Sequence, residues 1–169
     1  VAEASEGREI PLPPKELSKR LRKGYEKDLS TLQARLNGTQ TQASYDYIWT
    51  IQGHSGAMDK AREMIDGAVD EIYVRMYPKE GRLLDPLLRQ AETGGVQVKY
   101  IAMRPSSEKF THQVIHPEHE TIEAKLGGRS FDLVVDNSEI LGGLFIAGQE
   151  NQSAINWGKN RWFVVTGRD

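Results

Sequence analysis

The sequence predicts an α/β fold, a mixed sheet with helices on its faces, preceded by a long N-terminal coiled-coil helix. Between residues 45 and 103, short apolar runs rich in β-branched residues alternate with segments of helical periodicity. Strands separated by helices imply parallel pairs. Two further apolar runs flank a turn near residue 136, and this hairpin adds antiparallel strands. A leucine stripe follows a proline-rich segment close to the N-terminus and predicts the separate helix.

Length and composition bound the protein class. With 169 residues, the chain can form one domain with its own core plus an appendage. No segment approaches the roughly 20 apolar residues of a membrane span, and no signal-peptide pattern is present. We therefore expect a cytoplasmic protein with no membrane contact. The absence of cysteine excludes a disulfide framework. The net charge is -2, so this sequence lacks the excess of basic residues that is typical of a nucleic-acid binder.

The N-terminal segment predicts a linker followed by a dimerisation helix. Residues 1–14 are polar and then proline-rich, which predicts an extended linker. Over residues 15–37, apolar side chains recur at steps of three or four and keep one face of a helix apolar. We expect this narrow stripe to pair with a second copy and form a homodimer, although such a helix could also lie on its own domain. The stripe consists of Leu17, Leu21, Tyr25, Leu29, Leu32 and Leu36.

Residues 45–169 predict the α/β domain. Apolar patterning predicts strands at 45–52, 71–77 and 96–103 and helices at 57–68 and 82–93. Ser55 is the expected N-cap of the first of these helices, and Pro86 fits only near the first turn of the second. Residues 105–120 predict a long polar loop, and a short helical turn follows at 122–126. The last predicted β segments are 131–135, a strand starting at 140, 154–157 and 162–165.

The hairpin carries a partial catalytic signature. Asp136 and Gly143 keep the Asp-x6-Gly spacing that ends the phospholipase-D signature His-x-Lys-x4-Asp-x6-Gly. The positions of its His and Lys hold Arg129 and Phe131. Arginine, with a pKa above about 12, cannot act as a nucleophile at neutral pH. The pattern therefore resembles a phospholipase-D-like scaffold without catalytic residues, and Asp136 is expected to be an Asx-turn residue.

Several loose motifs, taken in order, resemble one family. They are Pro-Pro-x-Glu-Leu at 13–17, Ile-Trp-Thr-Ile-x-Gly at 48–53, Glu-Ile-x-Val at 71–74, Ala-x3-Gly-Val-x-Val at 91–98, Gly-Arg-Ser-x-Asp-Leu-Val-Val-Asp at 128–136 and Ala-Ile-Asn-Trp at 154–157. Over residues 11–165 the chain resembles the effector domain of the TrmB-like transcriptional regulators.

The resemblance implies half of a phospholipase-D-like fold, no chemistry, no cofactor, and a small-molecule effector. It also implies that DNA is bound only through a winged helix, which these residues do not include. Several archaeal members bind sugars with an extra C-terminal segment that is likewise absent from this sequence.

A binding site is expected where the carboxyl ends of parallel strands meet. The residues there, or on a neighbouring strand, that could bind a ligand are His54, Ser55, Arg104, Arg129 and Asn156. Helix N–H groups, a histidine and arginines suit an anionic or sugar-like effector. The alternative is that the arginines only pair with nearby acids.

A histidine cluster is the other candidate site. His112, His116 and His119 could bind zinc, but Pro117 prevents a continuous helix that would align them. We therefore expect no metal. The rival functions that the sequence leaves open are a dimerisation module with no ligand and a degenerate phosphodiesterase.

Overall fold

The computed structural model describes residues 14–38, 47–106 and 108–167. In its first helix, the described side chains are those of residues 15, 18–19 and 22–32. The chain divides into two compact units, Val1–Ala43 and Ser44–Asp169. Among the described helices, none is long and apolar enough to cross a membrane.

The first unit contains helix α1, Pro14–Gly38. The described members of its apolar stripe, Tyr25, Leu29 and Leu32, are 68%, 61% and 55% exposed. The side chains of Leu17, Leu21 and Leu36 lie outside the described part, as does the predicted linker up to residue 13. The long helix is present, whereas its pairing as a coiled coil stays a prediction.

The second unit is a mixed α/β domain, which confirms the predicted fold class. Its described residues form one seven-stranded sheet in the order β1-β7-β6-β5-β2-β3-β4. The strands are β1 (Ile48–Gln52), β2 (Glu71–Met76), β3 (Gln97–Ala102), β4 (His112–Ile115), β5 (Gly128–Val135), β6 (Glu139–Ile146) and β7 (Ala154–Gly158). The helices are α2 (Gly53–Asp66), α3 (Pro78–Thr93), α4 (Ile122–Leu126) and α5 (Arg161–Thr166).

The strand register assigns the two faces of the sheet. Alternation in β2 and β3 buries every second side chain, for example Val74 and Tyr100, in a core with α2 and α3. On the opposite face, α5 packs Val164 against Val134 and Ile140. Helices therefore contact both faces, as the sequence predicts.

The predicted N-cap of the first helix of this domain is wrong. Helix α2 begins at Gly53, directly after β1, and the residue that precedes it is Gln52, in an extended conformation. Gly53 has φ +80° and donates its N–H to the Ser153 carbonyl at 2.8 Å, while a Cβ there would lie 3.0 Å from the Asn151 carbonyl. Glycine permits this tight start. Ser55 lies in the first turn instead, with an exposed side chain.

The second helix also starts earlier than predicted. Helix α3 begins at Pro78 rather than at residue 82, because proline presets the dihedral angle of a first helical turn. Pro86 consequently lies inside the helix, contrary to expectation. It cannot donate a hydrogen bond to the carbonyl of Arg82, four residues earlier.

Two polar or aromatic segments differ from their predictions. Residues 112–115, expected in a loop, form edge strand β4 parallel to β3. Three of the four residues of this edge strand are exposed, so its sequence does not alternate between apolar and polar residues and did not predict a strand. Residues 162–165, expected as a strand, lie in α5, because the Asn160 side chain accepts a hydrogen bond from the Phe163 N–H and caps a helix.

Candidate functional site

The sheet topology gathers the carboxyl ends of four strands at one edge. Four antiparallel steps separate β1 from β2, so β1 runs parallel to β2, β3 and β4. His54 follows β1, Glu80 lies in the first turn after β2, and Arg104 follows β3. The amino end of β5 lies at the same edge and carries Arg129. We call this the carboxyl edge.

A buried carboxylate lies at the centre of this edge. Glu80 is 1% exposed, and its Oε1 lies 3.1 Å from His54 Nε2 and 3.1 Å from Arg129 Nη2. Arg129 Nε donates to the same carboxylate at 3.2 and 3.4 Å. A buried charge needs such partners, because an isolated carboxylate would lose its hydration without compensation. Three elements, α2, α3 and β5, are therefore tied together at one carboxylate, which we call the Glu80 cluster with its partners His54 and Arg129.

A second acid extends the cluster towards solvent. Arg129 Nη1 donates to Glu150 Oε1 at 3.2 Å, and Lys79 Nζ lies 3.3 Å from the same oxygen. Its own backbone N–H, together with Arg129 and Lys79, holds the pKa of Glu150 at about 2. Burial acts to lower the pKa of Arg129, but the charges and hydrogen bonds of Glu80 and Glu150 raise it overall. The positive charges of Arg129 and Lys79 are matched by the negative charges of Glu80 and Glu150, so the Arg129 guanidinium stays protonated and its charge is neutralised.

A tyrosine beside the cluster has a buried hydroxyl without a hydrogen-bond partner in the described residues. Tyr77, 1% exposed, immediately precedes α3. Burial raises its pKa, as does the charge of Glu123, while Arg104 and Arg129 both lower it. A buried hydroxyl without a partner costs free energy, so this group is suited to receive a hydrogen bond from a ligand or water.

The five sequence-predicted ligand residues do not all come together. His54 and Arg129 both contact Glu80. Arg104 lowers the pKa of Tyr77 but forms its ion pair with Glu123, at 2.9 Å. Ser55 is exposed in the first turn of α2.

Asn156 lies on the other face of the sheet from Arg129. It pairs in register with Gly142, which pairs with Asp132, and side chains alternate between faces from Asp132 to Arg129. Its amide oxygen accepts from the Thr50 hydroxyl at 3.2 Å. The structure therefore separates Asn156 from the predicted site.

Sequence reasoning missed Glu80, Tyr77 and Glu150. Pro78 was the signal that could have located Glu80 and Tyr77, because proline is favoured in the first turn of a helix. It would have placed the helix start at residue 78, four residues before the predicted start. That shift places Glu80 in the first turn at the carboxyl edge. Glu150 follows from no pattern, because a three-residue 3-10 turn, Glu150–Gln152, positions it.

The remnant of the catalytic signature is split between opposite edges. Asp136, with φ +51°, accepts hydrogen bonds from the N–H groups of Val69, Asp70 and Glu71 at 2.8–3.0 Å. It lies after β5, whereas Arg129 lies near the start of that strand. Phe131, in the position of the lysine, is fully buried in the core. In this structure Arg129 and Asp136 hold segments of the scaffold together, and Phe131 packs in its core.

The histidine cluster does not assemble. His112 lies on β4, and the ring of His119 contacts the His116 carbonyl at 3.0 Å. Among the described residues, no group of three or more histidine, aspartate or glutamate side chains is placed to hold a metal ion.

Comparisons with known proteins identify related chains. The family described as "Transcriptional regulator TrmB, EBD N-terminal subdomain" matches residues 47–143. A curated relative, the uncharacterised protein YrhO of Bacillus subtilis (strain 168), is 26% identical over 146 residues. That alignment covers 86% of this chain and 53% of YrhO, so the chain spans about half the length of this relative.

Solved structures also align with this chain, and the first of them shows the same fold. TrmBL2, described as an archaeal chromatin protein with a novel mode of DNA binding, aligns with a TM-score of 0.51 and 16% identity, over 90% of this chain and 60% of its own. NucT from Helicobacter pylori aligns with a TM-score of 0.49 and 11% identity. The phospholipase D family member Nuc from Salmonella typhimurium aligns with a TM-score of 0.45 and 16% identity. Each of the last two alignments covers 71% of this chain and 89% of the other.

Proposed function

This chain belongs to the family of TrmB transcriptional regulators, and we propose that residues 45–169 are its effector-sensing domain and residues 15–37 its dimerisation helix. The observation that carries the proposal is the Glu80 cluster at the carboxyl edge, beside the Tyr77 hydroxyl, for which the described part of the chain offers no hydrogen-bond partner. Crevices at this edge of an α/β sheet are the usual place for ligands. The cluster joins α2, α3 and β5, so a ligand bound there would change the packing of three elements at once.

The charges of the cluster favour a sugar-like effector over a strongly charged one. Arg129 and Lys79 are already neutralised by Glu80 and Glu150, so an added anion would compete with internal carboxylates. A polyol can instead exchange hydrogen bonds with these groups and with Tyr77 without leaving a charge unpaired. His54, Ser55, Arg104 and Arg129 remain the residues we propose for contact.

Dimerisation is the second part of the proposal. Tyr25, Leu29 and Leu32 are large apolar side chains that stay more than half exposed on α1. A contiguous apolar stripe of this kind is typical of a helix that packs against a partner helix. We propose a homodimer held by α1.

The remaining parts of the assignment follow from family membership and from the altered signature. We propose that the chain is not an enzyme, since Arg129 and Phe131 stand where the reactive His and Lys are required. We also propose that it acts in the cytoplasm and that DNA is bound by a winged-helix domain outside these residues.

A thermal-shift screen of the full chain tests the sensing function. Neutral sugars, sugar acids and sugar phosphates are compared, and a ligand present at a hundred times its dissociation constant should stabilise the fold by about 2.7 kcal/mol. Hits are repeated on the double variant Glu80→Gln/Arg129→Gln. It removes both charges together, because removing Arg129 alone would leave a buried carboxylate unpaired.

The expected result is loss of ligand stabilisation in the double variant and retention in the control Glu63→Gln, an exposed glutamate on α2. Stabilisation of both variants to the same extent would place the effector elsewhere. If no compound stabilises the parent chain, the domain is a dimerisation module without a ligand.

A further inference from the structure

A cavity of about 640 Å³ lies beside α3, apart from the Glu80 cluster. The first turns of α3 form one side of it, and the loop after β3 forms the other. This volume is within the range of about 300–1,000 Å³ that is typical of small-ligand sites. Three prolines, Pro78, Pro86 and Pro105, line it and provide apolar walls without N–H donors.

Two polar groups of opposite kind also line the cavity: within the described residues, one is a guanidinium without an ion-pair partner, and the other is a carboxylate that Tyr100 hydrogen-bonds but whose Oδ1 has no donor. Arg82 is exposed and, among the described residues, no carboxylate lies within ion-pair distance of its guanidinium. Asp85 is 8% exposed, and its Oδ1 has no hydrogen-bond donor within the described part of the chain. A buried acceptor without a donor costs free energy, which a ligand that supplies the donor would recover.

Arg89, the second arginine that lines the cavity, already has binding partners within the protein. Arg89 lies 3.0 Å from Glu92 and 3.5 Å from Glu108, donates to the Lys109 carbonyl, and stacks 4.3 Å above the ring of Phe110. These contacts attach the loop after β3 to α3 and give the cavity a defined wall. Arg82 is therefore the guanidinium left to bind an anion.

We propose that this cavity is a second ligand site, for a small metabolite that carries one carboxylate or phosphate together with hydroxyl groups. Arg82 binds the anionic group, for which its planar fork is suited. A hydroxyl of the ligand donates to the Asp85 carboxylate, and the carbon backbone of the ligand packs on the prolines. Sugar acids and sugar phosphates have this chemistry. The site is independent of the effector proposed for the Glu80 cluster.

Titration of the full chain with D-gluconate and D-glucose 6-phosphate, followed by amide chemical shifts, tests the proposal. Both probes should bind saturably and shift the amide signals of residues 82–85, 87–89, 106 and 108. D-glucose, which lacks the charge, and acetate, which lacks the hydroxyls, should each bind more weakly. Failure of both anionic probes to saturate, or equal binding of acetate and gluconate, would overturn the proposal.

Three variants locate the site. Arg82→Gln should weaken gluconate binding by about ten- to a hundred-fold, the usual effect of losing a charged hydrogen bond. Arg62→Gln, at an arginine on α2 whose side chain is 41% exposed, should have no effect. Asp85→Ala, checked for folding by circular dichroism, should remove the preference for gluconate over acetate. An unchanged affinity in Arg82→Gln contradicts the proposal, and a loss that appears only in Glu80→Gln/Arg129→Gln assigns the probes to the Glu80 cluster instead.

Discussion

At the residue scale, the main feature is that carboxylates near the ends of strands are held by fixed hydrogen-bond donors. Glu80, at 1% exposure, is held by Arg129 and His54, and such a carboxylate is tolerated only because both partners donate to it. Asp136 shows the same logic at the opposite edge, where three backbone N–H groups satisfy one carboxylate. In both cases an acid replaces hydration with fixed donors and joins segments that are distant in sequence.

Replacing Asp136 with alanine should destabilise the domain by about 2 kcal/mol, because three backbone donors lose a charged acceptor. A left-handed φ also disfavours alanine. Asp136→Asn keeps an acceptor oxygen and tolerates this conformation, so it should lose about half as much. Urea unfolding measures both. Equal stability of the alanine variant and the parent would mean that these hydrogen bonds contribute nothing.

Asp85 should make stability depend on pH. Burial raises its pKa from 3.8 to about 6, a shift that the Tyr100 hydrogen bond only partly opposes. An acid whose pKa is raised on folding stabilises the fold while protonated, and this contribution is lost as pH rises from about 4 to above 6.

Asp85→Asn should therefore be more stable, relative to the parent, at about pH 8 than at about pH 4, by about 1 kcal/mol once solvent screening is allowed for. Urea unfolding at the two pH values is the measurement, with Asp59→Asn, an exposed aspartate, as control. A difference that does not change with pH would show that Asp85 ionises at its ordinary pKa.

At the element scale, the sequence predicted the elements in which apolar and polar residues alternate, because packing on one face of the sheet produces that alternation. The strands β2 and β3 bury every second residue and were predictable, whereas edge strand β4 has one neighbour and α5 is set by the Asn160 cap. The same limit applies to the site. His54 and Arg104 follow from the rule that parallel strands end together. Arg129 reaches the same edge by another route, because it lies at the start of β5, which is antiparallel to β2. Glu80 was missed because the leucines of α3 suggested a later helix start.

The stripe of α1 carries the element-scale prediction. Leu29→Glu with Leu32→Glu should convert a dimer to a monomer, because both charges would be buried in the helix seam. Ser30→Glu adds a charge on the opposite side of the same helix and should leave the dimer intact. Sedimentation velocity distinguishes these cases. A double variant that stays dimeric would assign the contact to the α/β domain, and a monomeric parent would reject the homodimer.

At the scale of the whole molecule, Arg129 and Phe131 stand at the positions where the phospholipase-D signature has its His and Lys. We expect no hydrolysis of bis-p-nitrophenyl phosphate by the purified chain, because Arg129 is neutralised by two carboxylates and Phe131 is buried. Turnover that Arg129→Ala or Asp136→Ala abolishes would contradict this expectation. Turnover that survives both changes would indicate a contaminant.

The central claim is that the carboxyl edge of the sheet senses an effector. The most direct measurement maps amide chemical shifts of the full chain as the strongest sugar-like hit of the screen is titrated. The claim predicts saturable amide shifts at residues 53–55, 77, 79–80, 103–104 and 128–129, which the double variant Glu80→Gln/Arg129→Gln abolishes. Shifts confined to the opposite edge, at residues 67–70 and 136–138, would contradict it.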